Sequence, residues 1–309
     1  MTALGIILPV FGLILIGWVA SVSGLISDKV SDGLSEYVFS IAVPALIVGT
    51  LSRPGLTGEI AWSYWFSYFG GAALAWAIGS LIGIRREGVG KRGAILHGFA
   101  ASQSNTIFVG VPTILHAYGE EGAFPLFMLL AVHLPLMMGA ATFLIEADGE
   151  RSLLQRIGGL GVVLARNPIF VALAIGLAMR GFGLSLSGIP KNLVEMISAS
   201  ASTCALIALG AGLKRYRVLH DLPGAGVVAG LKLVLHPLAV WVLAFHVFTM
   251  PAAYAGVAVL FAAMPVGVNA YLLANRYKSE TGLVSAAVLI STLFAALTTT
   301  AWLFVLGRA

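Results

Sequence analysis

"AASQSNTIFVGVPT", residues 100–113, is the stretch on which the fold turns. Ser102, Gln103, Ser104, Asn105 and Thr106 form one unbroken polar run, Gly110 and Pro112 follow, and apolar sequence lies on both sides. A helix interrupted inside hydrocarbon frees backbone N–H and C=O groups, and each one left unsatisfied costs several kcal/mol. Such a break survives only inside protein or beside a polar cavity. The side chains of Gln103, Ser104, Asn105 and Thr106 can satisfy the freed groups or bind something that enters. A lone Ser or Thr in a membrane helix serves as glue between helices, but that role does not account for five consecutive polar residues beside two helix breakers.

The surroundings of this stretch are lipid-like throughout. Of 309 residues, 59% are hydrophobic and only 10% charged, with mean hydropathy +0.97, whereas soluble domains run near a quarter charged. The 37 glycines suit helices that pack closely in a bilayer. At roughly 25 to 30 residues per span and loop, about ten helices fit. Periodicity and hydropathy place them at 3–23, 31–51, 61–84, 93–118, 123–146, 165–182, 190–213, 224–249, 252–276 and 281–307. The opening "MTALGIILPVFGLILIGWVA" lacks a basic leader and a small-residue cleavage site, so it reads as a retained first helix. Cys204 is the sole cysteine, which excludes an internal disulfide.

The net charge of +5 reflects topology and gives no sign of a nucleic-acid partner. With the N-terminus outside, the inner loops hold Lys29, Arg85, Arg86, Lys91, Arg92, Arg151, Arg156, Arg166, Lys214, Arg215, Arg217, Arg276 and Lys278. The outer side holds only Arg53, Arg180, Lys191 and Arg308. The expectation is a multi-pass protein of the inner (plasma) membrane with both termini extracytoplasmic.

The longest loop, about 147–164, divides the chain into five-helix halves, 1–146 and 165–309. An odd number of helices per half inserts the halves upside down relative to each other, the inverted-repeat plan of many secondary transporters. Tyr118 and Glu121 match Tyr277 and Glu280 at a shift of 159 residues. The fourth helix of each half is interrupted, at about 103–112 and, in "AAMPVGVNAYLLANRY", around Pro265, Gly267 and Asn269. Paired interruptions of this kind point to a binding site at the membrane midplane.

Half-helix N-termini at such breaks carry about half a positive charge each, and with amide donors they suit an anion. No Asp or Glu falls mid-span in helices four, five or nine, which speaks against a cation or proton exchanger. His133, in "LLAVHLPLMM", is read as a packing residue, a polar brace for the broken helix or a proton-coupling group. Lys232, in span eight, is expected to snorkel to the interface, with anion attraction as the alternative. Pro44 is expected to kink span two, and Asn167-Pro168 to start span six as N-cap and N1. Trp62, Tyr64, Trp65 and Tyr68 read as an interfacial belt. The remaining histidines show no metal-ligand spacing, "GVGKRG" lacks phosphate-loop spacing, and no nucleophile–base pair occurs. Nothing here requires a cofactor, a metal or catalysis.

"SNTIFVGVPTILHAYG" strongly resembles the fourth helix of the auxin efflux carrier family, plant and bacterial. "AAMPVGVNAYLLANRY" resembles that family's ninth helix, "EYVFSIAVPALI" its second, "ARNPIFVALAIGL" its sixth and "ALIALGAGL" its seventh. The resemblance implies ten helices in an inverted five-plus-five repeat with helices four and nine crossing at their breaks. It further implies a scaffold and dimer wall of helices 1, 2, 6 and 7, and an elevator-like transport domain of helices 3–5 and 8–10. By motif, Asn105 is the expected carboxylate-binding amide and Pro265 the crossover proline, while His133 falls at a polar supporting position. Plant members have Pro where Ser104 stands here; the break is then expected to rely on Gly110 and Pro112 or to be milder.

The function expected from these features is export of a small organic carboxylate, auxin- or malonate-like, by a homodimer in the bilayer. Asn105 would bind the carboxylate, Gln103, Ser104, Thr106, Pro265 and Asn269 would complete the wall, and Pro44 with side chains of helices one and two would line the apolar side. The alternatives are ion-coupled uptake of an organic anion and a non-transporting membrane sensor.

Overall fold

The computed structural model describes residues 2–53, 61–86, 88–147, 166–216 and 221–308, and these are all-helical, with one isolated two-residue bridge in place of any sheet. Seven helical segments are long and apolar enough to cross a membrane: Ala3–Val22, Asp28–Leu51, Trp62–Ile84, Thr106–Ile145, Gly188–Arg215, Leu222–Val247 and Thr281–Val305. The expected connecting loop, about 147–164, lies almost entirely outside the described residues.

In chain order the helices are α1 (Ala3–Val22), α2 (Asp28–Tyr37), α3 (Val43–Leu51), α4 (Trp62–Ile84), α5 (Lys91–Ser102) and α6 (Val111–Ile145). They are followed by α7 (Pro168–Gly181), α8 (Gly188–Gly212), α9 (Leu222–Gly230), α10 (His236–Trp241), α11 (Ala252–Ala263), α12 (Val268–Arg276) and α13 (Thr281–Val305). Within α6, Gly119 adopts φ 56°, ψ −139°, conformational space that glycine enters without a Cβ clash, so the helix is broken there. α7 starts as its sequence predicts: Asn167 Oδ1 accepts the Ile169 N–H at 3.0 Å, with Pro168 at the first helical position.

Three prolines share one local device. π-helical turns at Val38–Ala42, Thr106–Gly110 and Leu231–Leu235 each end two residues before a proline: Pro44, Pro112 and Pro237. A proline ring collides with the carbonyl four residues back in a regular helix. The wider π turn moves that carbonyl aside and hands the preceding N–H a partner five residues back, as in Val43 to Val38 O and Val111 to Thr106 O. The sequence expectation of a kink at Pro44 is thus met by a π turn, and Gly110 and Pro112 lie in helix with no break at either.

Packing sorts the helices into two groups. α1, α2, α3, α7 and α8 pack on one another; α4, α5, α6 and α9–α13 form the other body. The α1–α8 contact is backbone on backbone. A Cβ on Gly17 would lie 2.3 Å from Ile207 O, and one on Gly210 would lie 2.0 Å from Ile14 O. In lipid, such close van der Waals approach is the main attraction between helices.

Polar ties close both ends of the second body. Asp221 caps α9 by accepting the Gly224 N–H at 3.0 Å and pairs with Arg86. Partial burial raises the Asp221 carboxyl, but its hydrogen bonds from Arg86 and Gly224 and the nearby cationic charge outweigh this and hold it below its ordinary value. His97 meets Glu280 at 3.0 Å. At the opposite end Arg308 lies 4.3 Å over the Tyr118 ring and 3.6 Å from Glu121. Of the expected interfacial belt, Trp62 is exposed, but Tyr64 and Tyr68 point inward. Their hydroxyls meet Pro125 O and His133 Nδ1, each at 2.9 Å, because a buried phenol needs a partner.

Gly210→Ala should lower the thermal unfolding midpoint of the detergent-solubilised protein, at an overpacking cost of about 1–3 kcal/mol. Gly226, in α9 with open space where a Cβ would go, should tolerate Ala with no loss in the same measurement.

Candidate functional site

The two interrupted helices meet at their breaks. α5 ends at Ser102 and helix resumes at Thr106; α11 ends at Ala263 and α12 begins at Val268. The second break follows from Pro265. A residue before proline is pushed out of the α region, and Met264 is extended at φ −63°, ψ 149°. The first break has no proline. Gln103 (φ −79°, ψ 115°) and Asn105 (φ −77°, ψ 78°) leave the helix where the other chain segment can pair with them.

That pairing is an antiparallel bridge. The Asn105 N–H donates to Pro265 O and the Gly267 N–H to Gln103 O, both at 2.8 Å. The Val266 N–H donates to Ser291 Oγ of α13 at 3.0 Å, and Pro265 has no N–H to strand. The breaks therefore satisfy one another's backbone, and the expected side-chain compensation is not used for this. A Cβ on Gly267 would lie 2.9 Å from Ser104 O, so the close crossing needs glycine there.

The spared polar side chains are left buried. Both amide atoms of Gln103 and the Asn105 Nδ2 have no hydrogen-bond partner in the structure. A buried unpaired amide costs about 1–3 kcal/mol, so such groups in a native fold call for a functional explanation. Asn105 is 3% exposed and opens onto a cavity of about 490 Å³. One wall is the crossing: Ser104, Asn105, Thr106, Ile107, Phe108, Gly267, Val268 and Asn269. The other is the first helix group, with Ser31, Ser35 and Phe39 spaced four apart along one helix face, and Ala208, Leu209 and Gly212 of α8. Asp32, Glu36, Arg215 and Tyr216, with Tyr271 and Leu272 of α12, complete the lining. Arg215 is held by Asp32 Oδ1 at 2.5 Å and Asp28 O at 2.9 Å, and Tyr216 packs edge-on to Tyr271 at 5.2 Å.

Both half-helices that begin at the crossing, at Thr106 and Val268, present their N-terminal ends to this cavity. First-turn N–H groups have no intrahelical acceptor, and the axial dipole adds partial positive charge there. Helix N-termini and amide groups are the kind of donors that suit an oxyanion, and Phe39, Phe108 and Leu209 add apolar lining.

The sequence-expected residues divide accordingly. Ser104, Asn105, Thr106 and Asn269 line the cavity. Asn269 is helical and follows the second break, whose extended residues are Met264 to Gly267. Gln103 and Pro265 belong to the bridge and lie behind that wall, and Pro44 is not among the lining residues. His133 is fully buried against Tyr68 and Phe261, away from the cavity. Lys232 does not snorkel: it is fully buried and its Nζ donates to Ala262 O. Side chains of helix two were expected in the lining without being named, and Ser31, Ser35 and Phe39 are those side chains; Arg215, Tyr216 and Tyr271 were not foreseen. The four-residue spacing of the first three was a usable signal; Arg215 looked like any loop-end basic residue.

A multi-pass helical protein whose two broken helices cross beside a polar cavity has the build of a membrane solute carrier. The profile of the family described as "Membrane transport protein" matches residues 2–303, and the chain belongs to that family. This agrees with the auxin efflux carrier motifs and makes the chain a transporter rather than an enzyme. It is 26% identical over 311 residues to a Rhizobium meliloti protein named "Putative malonate transporter", covering 98% of this chain and 95% of that one. It is 27% identical over 317 residues to an "Uncharacterized transporter" of Methanothermobacter thermautotrophicus, covering 97% of each. A Methanocaldococcus jannaschii protein, also named as an uncharacterized transporter, is 23% identical over 320 residues and 99% of each chain.

Gly267→Ala should push the crossing strands apart. The expected outcome is a lower unfolding midpoint than Gly226→Ala shows, together with loss of any ligand-induced thermal stabilisation.

Proposed function

We propose that this transporter exports a small organic carboxylate, of the auxin or malonate kind, by elevator-type alternating access. The observation that carries the proposal is Asn105: it lines the cavity where two helices begin, and its Nδ2 is buried without a hydrogen-bond partner. The name of the Rhizobium meliloti relative supports a malonate-sized dicarboxylate, and the cavity volume suits it. Thr106 and Asn269 flank the carboxylate. An inside-negative potential favours efflux by about 2.3 kcal/mol per exported charge per 100 mV, so no driving ion is needed.

The finer architecture belongs to the same proposal. The 40-residue segment Thr106–Ile145 is about twice the length one crossing needs and is broken at Gly119. Counting it twice, with α5 leading into its first half, and adding α7 and the α11–α12 pair, gives ten crossings in an inverted five-plus-five repeat. Positions 159 apart support the repeat: Gly119 and Lys278 both have positive φ, 56° and 50°, directly after Tyr118 and Tyr277. The two tyrosines make corresponding ties as well, Tyr118 under Arg308 after α13 and Tyr277 to Glu146 after α6 at 2.7 Å. Helices 1, 2, 6 and 7 of that count form the scaffold and the homodimer wall, and helices 3–5 and 8–10 carry the site. His133 braces that body through Tyr68. The protein sits in the inner membrane with both termini extracytoplasmic, consistent with its basic loops.

Asn105→Ala should abolish flux of radiolabelled malonate in proteoliposomes while leaving the unfolding midpoint and membrane insertion close to wild type. Full malonate flux in that variant would remove Asn105 from the site and the proposal with it.

A further inference from the structure

Three charged side chains line the cavity: Asp32, Glu36 and Arg215. Two of them cancel, because Arg215 Nη1 donates to Asp32 Oδ1 at 2.5 Å. Lys214, next to Arg215 in the chain, is taken by Asp28 at 2.9 Å. Glu36 is left over. It is exposed, it lies one turn beyond Asp32 on α2, and no cation pairs with it among the described residues. The hydroxyl protons of the same helix are already donated, Ser35 to Ser31 O at 3.0 Å and Ser31 to Ala208 O at 3.5 Å. Tyr216 and Tyr271, the other titratable groups of the lining, add phenol rings and no charge. The α2 side therefore meets a solute with one net negative charge and no free hydroxyl proton.

The crossing offers positive charge, but a limited amount. The helices that start at Thr106 and Val268 each carry about half a positive charge at that end, together enough to balance one carboxylate. A second ionised carboxylate would lie among Phe39, Phe108, Leu209 and Leu272 or approach Glu36. Arg215 could receive it only by releasing Asp32, which would leave that carboxylate uncompensated instead. A cavity of about 490 Å³ is roughly 10 Å across, and at that separation one like charge weakens binding roughly two- to tenfold. We propose that Glu36 sets the charge this site accepts: a carboxylate is bound as a monoanion, a dicarboxylate enters with one of its carboxyls protonated, and the dianion is disfavoured. The inference rests on the carboxylate reading above and names the charge form that the site selects.

The test is titration calorimetry of the purified full-length protein in detergent, at low salt and mildly alkaline pH, where no membrane voltage acts on the ligand. The two probes are malonate, a dianion under these conditions, and malonamate, in which an amide of the same size replaces one carboxylate. Wild type should bind malonamate roughly two- to tenfold more tightly than malonate. Glu36→Gln should narrow that gap by tightening malonate more than malonamate, and Glu36→Lys should close it further or reverse it. Both variants should keep the wild-type unfolding midpoint, since the Glu36 side chain is exposed and unpaired; if neither folds, the wild-type order of the two ligands decides. Malonate bound by wild type as tightly as malonamate or more tightly, or a gap unchanged in folded Glu36→Gln, overturns the role of Glu36 and leaves the carboxylate carrier standing. Binding of neither probe removes the malonate reading and this inference with it.

Discussion

The structure depends on one constraint: backbone polar groups deep in hydrocarbon must be paired. Two helices of this chain are interrupted there, and each interruption is tolerable only because the other exists. Asn105 and Gly267 give their N–H groups to Pro265 and Gln103 across the crossing, so the cost of breaking is offset between the two segments. This frees the polar side chains of the first segment from structural duty. Of these residues Ser104, Asn105 and Thr106 line the cavity, while Gln103 lies behind it.

The arrangement of the helices follows from how closely their backbones approach. Where Gly17 and Gly210 let α1 and α8 touch main chain to main chain, the first group becomes a tight unit. The second group is held by Gly71 against Val240 and Gly79 against Gly98, and by polar ties at its ends. The cavity lies between these bodies, with hydroxyls and aromatic rings on one side and helix termini on the other. A solute there contacts both, so relative movement of the two groups changes its surroundings.

Much of this was legible in residues. The polar run at 102–106 and the Pro265–Gly267 stretch announce the breaks, and Asn167-Pro168 announces a helix start that the structure contains. Of the two expectations for the first break, reliance on Gly110 and Pro112 fails for a physical reason: a π turn absorbs a proline without interrupting the helix. With Ser104 in place of a proline, the first break is held by pairing with a distant segment, which no local pattern announces. Lys232 misled for the same kind of reason, since its acceptor exists only because another helix ends thirty residues later. Tyr64 and Tyr68 looked interfacial by composition, and their inward hydroxyl partners are contacts distant in sequence.

The antiparallel bridge at the crossing has a property of its own. Each segment gives one N–H and one C=O, so the pairing is reciprocal: a shift of either segment strands a donor and an acceptor on both.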